Sequence, residues 1–201
     1  MRMNTGIEKS LKNIIKNAGG TRPMLECAHF ENGNIIATDS HQLVRWREAA
    51  PKDLKMNLNL TNFSFETEHA YPDISNLIPK KFGMQFEIGV GNLLELIPLL
   101  KSVKNCETNP TKMEVVDNVA TFATKISMTS DVKQEVSIEV ENFEGERIDI
   151  NFKNEYLLNA LTSIKDIRKF GNVRFGIAAP LRPFLIVYEN MDYLITPIRV
   201  Y

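Results

Sequence analysis

The side chains able to do chemistry are few, and they do not converge. Asp39 and His41 lie two residues apart, and a strand period of two would aim both the same way. That is the beginning of an acid–base pair, yet no nucleophile or third ligand is visible nearby in sequence. Asp39, at a strand end, reads better as an acceptor of turn hydrogen bonds. His29, His41 and His69 are scattered, without the Cys or carboxylate spacing of a zinc site. No Gly-rich phosphate loop and no G-x-S-x-G elbow occurs. The expectation is therefore no catalytic residue, no metal and no cofactor. The other chemistry on offer is charge. Lys9, Lys12 and Lys16 recur at i, i+3 and i+7, one stripe on a helix. Such a stripe attracts phosphates without reading sequence, or it is simply a solvated face. Both readings stand on the residues alone.

The elements that would carry these residues are legible. Thr5 to Ala18 predicts a helix capped by Thr5, with Glu8 completing a capping box and Gly19-Gly20 as the stop. Its apolar stripe is Ile7, Leu11, Ile14 and Ile15, opposite the lysines. Strands follow over 24–30, 34–38, 41–47 and 58–65, the first pair joined by an Asn32-Gly33 hairpin signal. After residue 80 the pattern restarts. A strand at 84–90 precedes a helix at 91–103, which Pro98 should kink. Strands at 112–116, 119–127, 134–142 and 147–152 come next, then a helix capped by Asn154 and running to Ile164. Strands at 172–178, 184–189 and 193–200 complete the chain. From Met84 onward this is β-α-β-β-β twice. Arg2 to Arg47 fits a third copy if Arg2–Asn4 is a short strand, and the fourth, before Tyr71, has no helix. The fold class expected is α+β, with helices gathered on one face of antiparallel sheets.

Between the two halves lies Tyr71-Pro72-Asp73-Ile74-Ser75-Asn76-Leu77-Ile78-Pro79-Lys80. Its prolines fix φ and push the preceding residues out of the helical region. Ile74, Leu77 and Ile78 supply one short apolar turn. The segment predicts a connector with buried anchors and the wall of a groove.

The chain has 201 residues, 43% of them hydrophobic and 24% charged, with a formal charge of −1. That suits one or two globular domains, and excludes a uniformly basic surface. Apolar runs such as 93–100 are too short and too interrupted to cross a membrane. Met1-Arg2-Met3-Asn4 leads into a Lys-rich segment without the apolar core of a signal peptide, and Cys27 and Cys106 make no disulfide framework. The expected compartment is cytoplasmic.

Three stretches carry a family resemblance. They are Ala37-Thr38-Asp39-Ser40-His41-Gln42-Leu43, the Tyr71-Pro72-Asp73…Leu77-Ile78-Pro79 connector, and the ending Tyr193-Leu194-Ile195-Thr196-Pro197-Ile198-Arg199-Val200. In order and spacing they resemble the bacterial DNA polymerase III beta subunit, the sliding clamp, whose members show Ala-Thr-Asp-Gly-His-Arg-Leu, an aromatic-Pro-Asp…Pro connector and a closing aliphatic pair, Met, Pro, Met or Val, Arg. The resemblance covers the middle and C-terminal clamp domains. It implies the DNA-clamp fold, with residues 1–80 an abbreviated domain including connector 71–80, and 81–201 a complete one. Nothing resembling the first clamp domain is present, which puts ring closure in question and suggests a phage or mobile-element version.

Carried over by motif position, the resemblance implies a peptide pocket of Leu25, Thr38, Ser40, His41, Leu43, Pro72, Leu77, Leu194, Thr196 and Ile198. Gln42 and Asn76 stand where the family more often has basic residues. It also implies non-specific backbone contacts to double-stranded DNA from Lys9, Lys12, Lys16, Lys101, Lys104, Lys165, Arg168 and Lys169. The partners implied are a DNA polymerase, other clamp-binding peptides, a clamp loader and further copies of the chain as a homo-oligomer. The function implied is a non-enzymatic processivity factor. A clamp-like adaptor or decoy that binds clamp partners or a host clamp without encircling DNA is the alternative.

Overall fold

A computed structural model describes residues 4–18, 22–103, 110–125 and 133–200. Helix α1 (Thr5–Ile15) is capped by Asn4, whose side chain accepts a hydrogen bond from the Gly6 N–H. The cap is therefore one residue earlier than Thr5, and the helix ends at Ile15 rather than Ala18. The expected Gly19-Gly20 stop, and a strand over Arg2 and Met3, fall outside the described residues. A 3₁₀ turn at Pro23–Glu26 replaces the start of the predicted 24–30 strand, because Pro23 fixes a helical φ there. Strands β1 (Cys27–Glu31), β2 (Asn34–Thr38) and β3 (Gln42–Trp46) follow. The 58–65 strand is instead a small hairpin, β4 (Met56–Asn59) and β5 (Phe65–Glu66). The Asn59 side chain folds it back by accepting from the N–H groups of Thr61 and Asn62.

In the second half, β6 (Met84–Gly89) leads into two helices, α2 (Val90–Leu94) and α3 (Leu96–Ser102), rather than one kinked helix. Pro98 has no N–H to give the Leu94 carbonyl, and its ring crowds that carbonyl, so the ladder breaks at Glu95. Then come β7 (Pro110–Val116), β8 (Val119–Lys125), β9 (Lys133–Glu139), β10 (Glu141–Gly145) and β11 (Ile150–Lys153). The predicted 134–142 strand divides at Val140, and Asn142 beyond it takes a left-handed φ of 52°. Helix α4 (Asn154–Ile167) and strands β12 (Asn172–Ile177), β13 (Phe184–Tyr188) and β14 (Met191–Ile195) complete the order. Asn154 does not cap α4; its amide donates to the Val103 carbonyl at 2.9 Å and ties α4 to the end of α3.

Both sheets are antiparallel. One has ten strands, in the order β10-β6-β12-β13-β14-β3-β2-β1-β4-β5, and the other four, β11-β7-β8-β9. Each β-α-β-β-β unit lends its first strand to its neighbour: β6 pairs with β12, and β11 with β7. The repeat is thus interlocked, not merely tandem. β14 pairs with β3 through Leu194↔Leu43 and Asp192↔Arg45, so one sheet runs from the first half into the second.

Helices α1, α4 and the α2–α3 pair cover one face. Leu11, Ile14 and Ile15 of α1 and Tyr156, Leu157, Ala160 and Leu161 of α4 enter a core shared with Phe86, Phe122, Phe175 and Trp46. Strands β6, β7 and β8 alternate between buried and partly exposed positions, as one-sided strands should. Strands β2, β3, β13 and β14 are buried nearly throughout. Their outer face is covered as well, since Ile36, Leu43, Leu185 and Leu194 pack under Tyr71, Ile74, Ile78 and Phe82. The connector is the lid of a second, smaller core. Gly176 makes room for it: a Cβ there would fall 2.5 Å from the Phe82 ring.

Two expectations follow from this packing. Asp192 is buried at 2% exposure and accepts from Arg45 Nε at 2.8 Å and Nη2 at 2.5 Å. Removing Arg45 takes both close donors from a buried carboxylate and leaves it only Arg47 Nε at 3.6 Å, whereas removing the carboxylate leaves a guanidinium that reaches water. Arg45→Met should therefore cost about 3 kcal/mol in urea unfolding, and Asp192→Asn clearly less. Gly176→Ala should displace Phe82 and cost about 1–3 kcal/mol by overpacking, with a shift in Phe82 ring resonances reporting the displacement.

Candidate functional site

The Thr38–Leu43 corner is built by its own polar side chains. Asp39 Oδ1 accepts from the N–H groups of His41 and Gln42 at 2.9 and 2.8 Å, and its Oδ2 accepts from Gln42 Nε2 at 2.8 Å. Every Asp39 contact here serves the turn, which accounts for a carboxylate beside a histidine without any acid–base arrangement. Thr38 Oγ1 donates to the Gln42 carbonyl at 2.8 Å and accepts from the Ser40 N–H at 3.1 Å. Ser40 holds a left-handed φ of 78°, a conformation that glycine adopts without cost.

Behind the corner lies a buried polar network. Gln42 Oε1 accepts from the Tyr193 hydroxyl at 2.6 Å and from Asn159 Nδ2 at 3.4 Å. Desolvation drives the Tyr193 pKa well above the ordinary phenol value, and the Asp39 charge adds to it. The hydroxyl stays a donor, and β3, β14 and α4 are locked together through Gln42. The side chain at this position is therefore occupied by structure and carries no charge to the surface.

In front of the corner is a small pocket of about 80 Å³, lined by Thr38, Ser40, His41, Leu43, Leu77, Leu194 and Thr196 together with Gln42 and Pro183. The connector contributes Leu77, 47% exposed and at the rim. The Thr196 N–H donates to the His41 carbonyl at 2.9 Å, fixing the far wall. The His41 ring lies near-parallel to Tyr156 with centroids 6.2 Å apart, and Lys153 Nζ sits 5.8 Å from the Tyr156 ring centre.

Seven of the ten residues assigned by motif position thus meet in one place, and three do not. Leu25 is buried at 2% exposure beneath the surface. Pro72 lines a separate groove of about 500 Å³ on the other side of the connector, with His29, Arg45, Tyr71 and Ile74. Ile198 is held away by its N–H bond to the Asn151 carbonyl at 2.7 Å. Pro183 lines the pocket and was missed; it sits in a turn between strands, with no motif to mark it. In the neighbouring groove Tyr71 stacks on His29 with centroids 4.5 Å apart, and burial pushes the Tyr71 phenol pKa up. Burial likewise pushes the Cys27 thiol to about 11, which makes it an inert core residue; Cys106 lies outside the described residues. Among the described residues, no group of three or more His, Cys, Asp or Glu could hold a metal, and no helix is long and apolar enough to cross a membrane.

The basic residues are arranged less favourably for phosphates than their sequence suggests. Lys9 Nζ pairs with Asp166 on α4 at 2.7 Å, and Lys12 Nζ with Glu8 one turn away at 2.7 Å. Arg168 lies 3.1 Å from Glu189 and over the Phe170 ring at 4.5 Å. Lys16, Lys101, Lys165 and Lys169 are exposed. Lys104 lies outside the described residues. Ser10 and Ser163 meet at 3.0 Å where α1 crosses α4, which brings Lys9 to the same helix end as Lys165 and Arg168.

Known proteins with this arrangement are sliding clamps. The chain is 29% identical over 171 residues to the beta sliding clamp of Streptococcus pneumoniae, covering 83% of this chain and 44% of that one. Among solved structures, the Caulobacter crescentus beta sliding clamp superposes with a TM-score of 0.77 at 16% identity, over 99% of this chain and 64% of that one. The Bacillus subtilis DNA polymerase sliding clamp gives 0.75 at 21% identity, over 99% and 64%. The chain thus spans less than half the length of the curated relative and under two thirds of the solved chains. The family model for the DNA polymerase III beta subunit, C-terminal domain, matches residues 75–199, and this chain belongs to that family.

Proposed function

We propose that the chain is a clamp-type accessory protein of DNA replication that holds a DNA polymerase, or another clamp partner, by a short peptide seated in the Thr38–Leu77–Leu194 pocket. The observation that supports this most is the pocket itself. Two segments more than a hundred residues apart in sequence, plus the connector, assemble an apolar site with Thr38, His41 and Thr196 at its edge. At about 80 Å³ it is on the scale of one aliphatic side chain. Burying a leucine or phenylalanine there would contribute about 1.5–3 kcal/mol. The chemistry is recognition, with no step that makes or breaks a covalent bond. Residues 1–80 would act as an abbreviated clamp domain and 81–201 as a complete one.

On this reading the helix layer faces duplex DNA, and sequence-independent contacts come from Lys16, Lys101, Lys165 and Lys169, with Lys9, Lys12 and Arg168 partly neutralised by Asp166, Glu8 and Glu189. Retention on DNA would then require further copies of the chain to close around it, and a loader to place it. Two observations favour the alternative of a non-encircling adaptor or decoy: those ion pairs, and the lack of a helix between β4 and the connector among the described residues.

The two readings separate by experiment. Leu77→Asp, at an exposed rim position, should leave the fold intact and weaken peptide binding about tenfold or more by calorimetry; unchanged affinity would remove the pocket from consideration. On nicked circular duplex, the clamp reading expects retention that ends when the circle is cut. Lys9→Glu, Lys12→Glu, Lys16→Glu together should weaken duplex binding and flatten its salt dependence, by about 0.9 in log–log slope for each phosphate no longer neutralised. No retention on the intact circle, with peptide binding preserved, selects the adaptor.

A further inference from the structure

We infer that the turn carrying Phe63 is a second docking point for the partner held at the pocket, and that it takes an apolar side chain about four to five residues beyond the anchor of the same peptide. The inference rests on the pocket reading above and names a further feature of the partner.

Phe63 and Phe65 are 67% and 64% exposed, and among the described residues neither belongs to an apolar cluster of the fold. The turn that carries Phe63 is nonetheless firmly built. The Asn59 N–H donates to the Ser64 carbonyl and the Phe63 N–H to the Asn59 carbonyl, both at 2.9 Å. Asn62 Oδ1 accepts from the Ser64 N–H at 2.9 Å and from its hydroxyl at 2.7 Å, in addition to the bonds that Asn59 Oδ1 accepts from Thr61 and Asn62. Leu60, 2% exposed, anchors the turn in the core. Phe63 itself holds a left-handed φ of 59°. Every other non-glycine residue with positive φ among those described is Asn, Asp, Ser or Glu, and a bulky aromatic in that region is strained. A ring held in water on a strained, cross-braced backbone contributes little to the fold. Such strain gathers at ligand sites, and an aromatic whose backbone is already ordered loses little freedom on binding.

The turn stands in line with the pocket. Leu194, Leu43 and Thr38, all of the pocket, lie opposite one another across β14, β3 and β2. His29 faces Ile36, and Cys27 faces Asn59, so the same row continues from Thr38 through Cys27 to Asn59, the residue that folds the turn. Neighbouring strands lie about 4.8 Å apart, which sets Asn59 roughly 10 Å from Thr38, with Phe63 beyond it. About four to five extended peptide residues cover that reach. The ground between is partly apolar. Pro23 is exposed and Met24 half-buried, on a 3₁₀ turn fastened to the pocket corner by Arg22 Nη1, which donates to Ser40 Oγ at 3.1 Å. A second copy of the chain fits this tip less well. Four phenylalanine rings, at about 150–250 Å² each, fall short of the roughly 1,200 Å² that a stable interface between copies buries. One apolar side chain added to a seated peptide needs no such area, because its encounter with the turn is intramolecular.

The test is calorimetry with two synthetic peptides of equal charge that share one Leu-Phe anchor. One carries leucine at the fourth and fifth positions on both sides of the anchor; the other carries serine there. The wild-type protein should bind the leucine peptide about three- to tenfold more tightly, and by the same factor at high salt, since no charge differs. In Phe63→Asn the preference should fall below about twofold while affinity for the serine peptide is unchanged. Asparagine accepts a left-handed φ, so the variant should melt no lower than the wild type. Equal binding of the two peptides by the wild type, or a preference that survives in the variant, overturns the inference and leaves the pocket standing. A variant that melts clearly lower makes Phe63 a residue of the fold and also overturns it. So does concentration-dependent self-association, measured by light scattering, that Phe63→Asn abolishes, because the turn then belongs to a second copy. Failure of the wild type to bind either peptide overturns the pocket reading, and the inference with it.

Discussion

Everything in this molecule depends on the pairing of β3 with β14. That ladder turns two half-sheets into one sheet of ten strands, and by doing so creates an outer apolar strip of Ile36, Leu43, Leu185 and Leu194. An exposed strip of that kind is untenable in water. The connector must lie across it, and its prolines and anchors are what a chain needs to run extended while burying Tyr71, Ile74, Ile78 and Phe82. The pocket is the place where the cover ends. Leu77 reaches the rim, half exposed, while Leu194 and Leu43 continue beneath it. Pocket and fold are consequences of the same contact, which is why the residues of the pocket come from three separate parts of the sequence.

Much of this was legible in the residues. The strands read over 112–116 and 119–127 match β7 and β8 as far as Lys125, beyond which the reading lies outside the described residues, and the turn between them, Asp117-Asn118 with both φ values positive, is a local signal that tertiary structure had no reason to override. The helix faces of α1 and α4 were likewise fixed by their apolar stripes. What failed did so for nameable reasons. Strand alternation is lost where both faces are buried, so β14 reads as running on to Val200 although it ends at Ile195. Asn154 looks like a cap but is used as a tertiary donor to Val103. Capping and tertiary bonding draw on the same side-chain atoms, and sequence alone does not say which wins. In the candidate site, the motif segments brought seven residues around one cavity, because a strand–turn–strand corner has one geometry. Leu25, Pro72 and Ile198 lie where small displacements decide which side of a segment faces the cavity.

Charge was the least legible property. The three lysines of α1 form one stripe in sequence and on the helix, yet two of them are met by carboxylates, one from its own turn and one from Asp166 on α4, at the far end of the sequence. A stripe shows where cations stand, not what stands beside them.

The ladder between β3 and β14 also bears on how the chain acquires its structure. Arg45 and Asp192, paired across it, are separated by 147 positions, so β14 is synthesised well after β3. A nascent chain leaving the ribosome can form α1 and the β1–β2–β3 meander early, but β3 then presents an open edge with no neighbour. Contacts of such sequence separation form slowly because the loop they close is long. Until residues 191–195 emerge, the β3 edge and the strip around Leu43 are exposed surfaces of the kind that chaperones hold and other unfinished strands recruit. The feature that unites the finished protein is thus the one that leaves it most vulnerable during its synthesis.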